Sequence, residues 1–223
     1  MLKRVYLEIT NVCNLSCSFC PKTRRKSRFL TAEEFDRLAA RLQGHTEYLY
    51  LHVLGEPLLH PQLAEILECA ARRGFKVCIT TNGTLLPQQT ETLLQAKRLH
   101  KISVSLHSFE GNDCRGSLRD YICRAAESCA ALAKAGVICA LRLWNIGGED
   151  KRNGEILAFL REKLGEDPLA MPQPRIGNWK LMDRLYLEQA ERFEWPDMNA
   201  PEQDTHFCLG MREQVAVDRK SVV

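Results

Sequence analysis

The chain has 223 residues, 45% of them hydrophobic and 26% charged, with a formal net charge of +3. That length suits one domain, or one domain and the start of another, and the apolar content is enough for a core without staples. The small net charge predicts neither nucleic acid nor a membrane surface as partner. No run approaches the roughly 18 apolar residues of a membrane span. The N-terminal "MLKRVYLEIT" regains charge at Glu8 before an export signal could form, so a cytoplasmic protein is expected.

Strand-forming and helix-forming segments alternate. Residues 4–10, "RVYLEIT", are rich in β-branched and aromatic residues and predict a strand. "CNLSCSFCP" (13–21) follows, and then the basic run "KTRRKSR" (22–28), which reads as a solvated loop face or as a contact for an anion. Thr31 and Glu34 form the capping-box pattern that opens a helix over 31–42. Residues 47–55 predict a strand, 61–73 a helix begun by Pro61, and 76–81 a strand closed by the turn pair Asn82–Gly83. A helix from Pro87 to about 97 and a strand over 101–108 come next.

The helix 117–135 is the clearest. Leu118, Ile122, Ala125, Ala126, Cys129, Leu132 and Ala133 recur along one face, and Gly136 can end it. A strand over 137–144 and a helix over 149–164 complete five β-α units, and a sixth strand is expected near 184–189. Such alternation implies α/β architecture with a parallel sheet, and parallel sheets bind ligands at the carboxyl ends of their strands. The unusual polar residues fall there. The three clustered cysteines follow the first strand, Gly55-Glu56-Pro57 the second and Thr81-Asn82-Gly83 the third. Ser105 to Ser108 end the fourth, and Arg142 to Asn145 the fifth.

Ten cysteines is a high count, yet nothing marks the chain for a disulfide-forming compartment. Cys69, Cys78, Cys123, Cys129 and Cys139 lie in apolar periodic segments, where a thiol behaves as a small hydrophobe. Cys13, Cys17 and Cys20 alone have ligand-like spacing, C-x3-C-x2-C. A structural zinc site takes four ligands, and no fourth cysteine or histidine is near. A redox C-x-x-C pair leaves Cys13 unexplained. A 4Fe–4S cluster on three thiolates keeps one iron open to a small molecule.

At this point the sequence resembles the radical SAM superfamily. That family carries C-x3-C-x2-C with an aromatic residue before the last cysteine, here Phe19. "LGEPLLHP", "ITTNGTLL", "SVSLHSF" and "ALRLWN" are similar to its later motifs, in family order, over residues 4 to 145. The resemblance implies a partial (β/α)6 TIM-like barrel with parallel strands over residues 1–199. It implies two cofactors, a 4Fe–4S cluster on Cys13, Cys17 and Cys20 and S-adenosylmethionine (SAM) on the open iron. A reduced cluster would then cleave SAM to methionine and a 5′-deoxyadenosyl radical, which abstracts hydrogen from a substrate. A reducing partner such as flavodoxin or ferredoxin is implied with it.

The remaining site residues acquire roles by the same resemblance. Backbone around Gly55 and the Glu56 side chain would accept from the SAM ammonium. Ser105 and Arg142 would hold its carboxylate. Phe19 packs near the adenine or seals the cluster. Asn82 faces the site or only makes its turn, while a strand-end hydrogen bond for Ser105 and a rim salt bridge for Arg142 are the plainer alternatives. His107 reads as a rim histidine.

Residues 200–223 resemble the start of a SPASM or twitch extension through Cys208, Gly210, the apolar 215–217 and Asp218. Arg219 stands where that pattern has glycine, and its later cysteines do not follow. Residues 200–223 are expected to be loosely packed or to lie as an edge strand, with the apolar strand near 215–217 lacking a strand to pair with. By resemblance to SPASM-type members, a peptide or protein is the expected substrate class. The rival is an iron–sulfur or zinc-binding interaction module without catalysis.

Overall fold

The computed structural model describes residues 2–21, 23–112, 116–148, 151–165, 176–192 and 214–217. Its elements run β1 (Arg4–Leu7), α1 (Ala32–Leu42), β2 (Tyr48–Tyr50), α2 (Leu63–Arg72), β3 (Lys76–Thr81), α3 (Leu86–Gln95) and β4 (Leu99–Ser105). They continue with α4 (Leu118–Lys134), β5 (Ile138–Ile146), α5 (Asn153–Leu164), β6 (Gly177–Met182), β7 (Leu185–Glu191) and β8 (Gln214–Val217). One eight-stranded sheet has the order β6-β7-β5-β4-β3-β2-β1-β8. All neighbouring pairs are parallel except β6 and β7, which are antiparallel. Strands β1 to β5 and β7 make up the six strands of the expected partial barrel, and β8 adds a seventh parallel strand beside β1.

Helices α1 and α4 begin where a side chain caps them. Thr31 accepts from the backbone N–H of Glu34, whose carboxylate accepts in return from Thr31, so both halves of the capping box are made. Ser117 does the same for α4 by accepting from Asp120 N–H. The apolar stripe of α4 is buried at all seven expected positions. It joins a continuous core with Ile66, Ile79, Leu93, Ile102, Leu141 and Leu160. Of the five cysteines expected in the core, Cys69, Cys78, Cys129 and Cys139 are buried and Cys123 is partly exposed.

The first strand ends at Leu7 instead of Thr10, and the helix expected from Pro61 begins at Leu63. Three further elements differ from expectation, each for a local reason. The second strand stops at Tyr50 instead of running to Gly55. Leu51 N–H still reaches Cys78 O, but Thr80 N–H donates to His52 Nδ1, so a side chain replaces the ladder and the chain is free to turn. The fourth strand ends at Ser105, and residues 106–108 tighten into a 3-10 turn closed by Ser108 Oγ on Ser105 O. The sixth parallel strand, β7, is preceded by β6, which the sequence reading did not include. The two join through Asp183 and Arg184, the latter at φ 60°.

β8 lies at the sheet edge, one of the two placements expected, but it does not lack a partner: it pairs in parallel with β1 from Arg4↔Gln214 to Leu7↔Val217. Cys208, Gly210, Asp218, Arg219 and the boundary near 199 lie outside the described residues. Among the described residues, no helix is long and apolar enough to cross a membrane.

Candidate functional site

The chain leaves β1 at Leu7 and returns at Phe29, and the loop between them carries the three cysteines. Its feet are zipped. Thr10 Oγ1 donates to Arg28 O at 2.9 Å, Arg28 N–H to Asn11 Oδ1 at 2.8 Å, and Leu30 N–H to Ile9 O at 2.8 Å. Two cations of the basic run are also held here. Arg25 pairs with Glu8 at 2.7 Å, and Arg28 pairs with Glu34.

The loop is then tied to three strand exits in turn. Glu56 N–H after β2 donates to Val12 O at 2.8 Å. After β3, Asn82 Nδ2 donates to Asn14 Oδ1 at 2.9 Å, and Asn14 Nδ2 donates to Thr84 Oγ1 at 2.8 Å. After β4, Ser18 N–H donates to Gly111 O at 2.9 Å. A loop without regular structure is thus fixed by backbone and side-chain hydrogen bonds to the elements around it.

A cavity of about 410 Å³ opens above these exits. Cys13, Cys17, Phe19, Cys20, Gly55, Glu56, Asn82 and Ser105 all line it. Eight of the nine residues singled out in the sequence therefore meet at one place. The ninth, Arg142, is not on that lining. Its Nε donates to Glu188 at 2.8 Å, its guanidinium stacks over Trp144 at 4.3 Å, and only Nη1 reaches the cavity wall, at Thr80 Oγ1, 3.4 Å away. The plainer salt-bridge alternative for Arg142 describes what the structure places there.

Glu56 lines the cavity and is also tied into the fold. It is 1% exposed, and its carboxylate accepts from Leu58 N–H at 3.0 Å, Thr81 Oγ1 at 2.7 Å and Asn82 N–H at 2.7 Å. Burial raises its pKa, and these three donors oppose the rise. Glu56 joins the exits of β2 and β3, which sets the backbone at Gly55. That backbone cannot tolerate a side chain: Gly55 has φ 80°, and a Cβ would sit 2.5 Å from Thr10 O. Asn82 combines both readings offered for it. Its Oδ1 caps the turn by accepting from Thr84 N–H at 2.9 Å, while its Nδ2 faces the cysteine loop.

Phe19 packs on the buried His107 ring, with centroids 4.9 Å apart, rather than standing alone in the cavity. Burial pushes His107 down to about 4. Burial, followed by the charge of Arg142, pushes His52 down to about 3. Both rings are neutral near pH 7. Burial also raises the thiols of Cys13 and Cys17, the latter to about 11. The sequence reading missed Asn112, whose Nδ2 lies 2.8 Å from Cys17 Sγ. Its position 95 residues away left no local signal.

The donor set suits a polynuclear cluster. Three thiols border one cavity, while among the described residues no three His, Cys, Asp or Glu side chains converge tightly enough for a single metal ion. An iron–sulfur cluster distributes its thiolates over separate irons.

The sequence profile of the Radical SAM superfamily matches residues 7–160. A GTP 3′,8-cyclase of Parasynechococcus marenigrum (strain WH8102) is 30% identical over 212 residues, covering 87% of this chain and 59% of the relative. A GTP 3′,8-cyclase of Chlorobaculum tepidum is 36% identical over 110 residues, covering 48% of this chain and 33% of the relative. The chain thus spans between a third and three fifths of the length of these two relatives. Streptococcus suis SuiB bound to S-adenosylmethionine has the same fold, with a TM-score of 0.56 at 20% identity over 73% of this chain and 39% of SuiB. With its cysteine loop at the exit of the first parallel strand, the chain belongs to the radical SAM superfamily of enzymes, whose cofactors are a 4Fe–4S cluster and S-adenosylmethionine.

Proposed function

We propose that this chain generates a substrate radical. Cys13, Cys17 and Cys20 hold the cluster, and SAM lies in the cavity lined by Phe19, Gly55, Asn82 and Ser105. When bound, the reduced cluster and SAM supply reductive cleavage of the sulfonium to methionine and a 5′-deoxyadenosyl radical, which takes a hydrogen atom from the substrate. The protein positions and shields. Gly55 offers backbone carbonyl to an ammonium group at close range. Glu56 holds that backbone, Ser105 offers a hydroxyl, and Phe19 on His107 closes one wall against water. Arg142 acts through the Thr80 wall and the Glu188 pair. A low-potential donor such as flavodoxin or ferredoxin supplies the electron.

The observation that carries this reading is the cysteine loop sewn to three successive strand exits around one cavity. The substrate class we favour is a peptide or protein. A SuiB structure bound to its precursor peptide SuiA shares this fold at a TM-score of 0.57. A nucleotide substrate is the second reading, favoured by the identity to GTP 3′,8-cyclases.

The test is anaerobic reconstitution of the parent chain and of a variant with Cys13, Cys17 and Cys20 changed to alanine. Reduction with SAM present follows, and methionine and 5′-deoxyadenosine are quantified. The parent should hold about four irons and release both products, and the triple variant neither. Iron without cleavage would favour the non-catalytic module. Deuterium passing into 5′-deoxyadenosine from labelled peptide or from labelled GTP separates the two substrate readings.

A further inference from the structure

Asn112 closes a short 3-10 turn, Glu110–Asn112, just beyond the exit of β4. Its Oδ1 accepts from the backbone N–H of Ser16 at 2.5 Å. Its Nδ2 donates to Ser108 O at 2.8 Å and lies 2.8 Å from Cys17 Sγ. The two ends of this amide cannot be exchanged. A peptide N–H only donates and a peptide carbonyl only accepts, so the oxygen must face Ser16 and the NH2 must face Ser108. One amide proton goes to Ser108, and the other points to sulfur.

Cys17 is the sulfur for which such a bond matters most. It is the buried member of the three, while Cys13 is exposed and Cys20 intermediate. The comparable contacts at Cys13 are longer, with Asn82 Nδ2 at 3.9 Å and Leu15 N at 3.4 Å. A donor aimed at a buried sulfur is less screened by water than one aimed at an exposed sulfur, so its dipole acts more strongly.

We propose that Asn112 is a positioning residue that donates a hydrogen bond to the Cys17 sulfur and so raises the reduction potential of the cluster. This rests on the cluster assignment proposed above. Adding an electron to a thiolate-ligated cluster increases negative charge on the sulfurs. A fixed N–H donor therefore stabilises the reduced form more than the oxidised form. The same side chain anchors Ser16, the residue before Cys17, so anchoring and tuning have to be separated by experiment.

The parent chain, Asn112→Ala and Asn112→Asp are reconstituted anaerobically, and iron is quantified. The cluster's electron paramagnetic resonance is then followed during potentiometric titration with dithionite. The expected result for Asn112→Ala is parent-like iron content and a midpoint shifted to lower potential. Asn112→Asp keeps an oxygen for the Ser16 N–H and removes the NH2. Its own charge also lowers the potential, so for this variant the measurement is electron–nuclear double resonance. A solvent-exchangeable proton coupling present in the parent should be lost. An unmoved midpoint in Asn112→Ala, or a retained proton coupling in Asn112→Asp, overturns the proposal. So does failure of both variants to assemble a cluster that the parent assembles, because Asn112 would then be an anchor only. A parent chain that binds no iron overturns the cluster assignment as well, and iron content alone distinguishes that failure from the others.

Discussion

At the scale of single residues, the charged group beneath the site has a measurable signature. Glu188 accepts from Lys101 Nζ at 2.8 Å and from Arg142 Nε at 2.8 Å. Burial pulls its pKa up, but the Lys101 hydrogen bond and the Arg142 charge outweigh burial and hold it below the ordinary carboxylate value. A carboxylate with a depressed folded pKa contributes stability that is present above its unfolded value, near 4.5. That contribution is lost as pH falls through the folded value. Glu188→Gln should therefore cost roughly 1.5–3 kcal/mol at neutral pH, and the gap from the parent should close below about pH 4. Urea denaturation of both proteins across that range measures it. A gap that does not change with pH would mean that the ion pairs are not its source.

At the scale of elements, β7 carries the clearest local conflict. Its Leu185 and Leu187 are buried, and the same alternation takes Gln189 into the core at 2% exposure. Among the described residues, neither Gln189 Nε2 nor Oε1 has a hydrogen-bond partner. An unpaired buried amide costs about 1–3 kcal/mol, and methionine fills a similar volume without polar hydrogens. Gln189→Met should raise stability by about 1 kcal/mol or more, read as a higher urea midpoint with an unchanged slope. A lower midpoint would show that the amide has a partner. Elsewhere the elements settle their polar groups. Asn145 on β5 and Asn153 at the start of α5 exchange two amide bonds of 3.0 Å, which fixes where that helix leaves the strand.

At the scale of the whole molecule, the proposed cavity is bordered by residues that follow β1, β2, β3 and β4. A ligand there bridges elements whose sheet contacts are otherwise pairwise, so binding should be felt in global stability. With reconstituted cluster and SAM at about a hundred times its dissociation constant, mass action adds about 2.7 kcal/mol. For a chain of this size that is a rise in Tm of roughly 5–10 °C. Anaerobic calorimetry with and without SAM checks it, and a Tm that ignores SAM would mean that the folded chain does not bind it.

The sequence by itself determined the alternation of strands and helices, because each segment carries its own apolar period and α1 and α4 carry their own caps. Thr31 with Glu34 and the face of α4 are complete local signals. It also determined that three cysteines share one loop, since C-x3-C-x2-C is local. It placed the motifs that follow the first four strands at one end of the sheet, because all parallel strands of a β-α chain end on the same side. Tertiary structure alone decided what those residues are engaged by. Glu56 is engaged by Leu58, Thr81 and Asn82, and Arg142 by Glu188, a partner 46 residues away on β7. Asn112 reaches Cys17 across 95 residues. β8 joins β1 across almost the whole chain. Hydrogen bonds between side chains distant in sequence leave no periodicity and no spacing. They exist only once the sheet has brought the strand ends together.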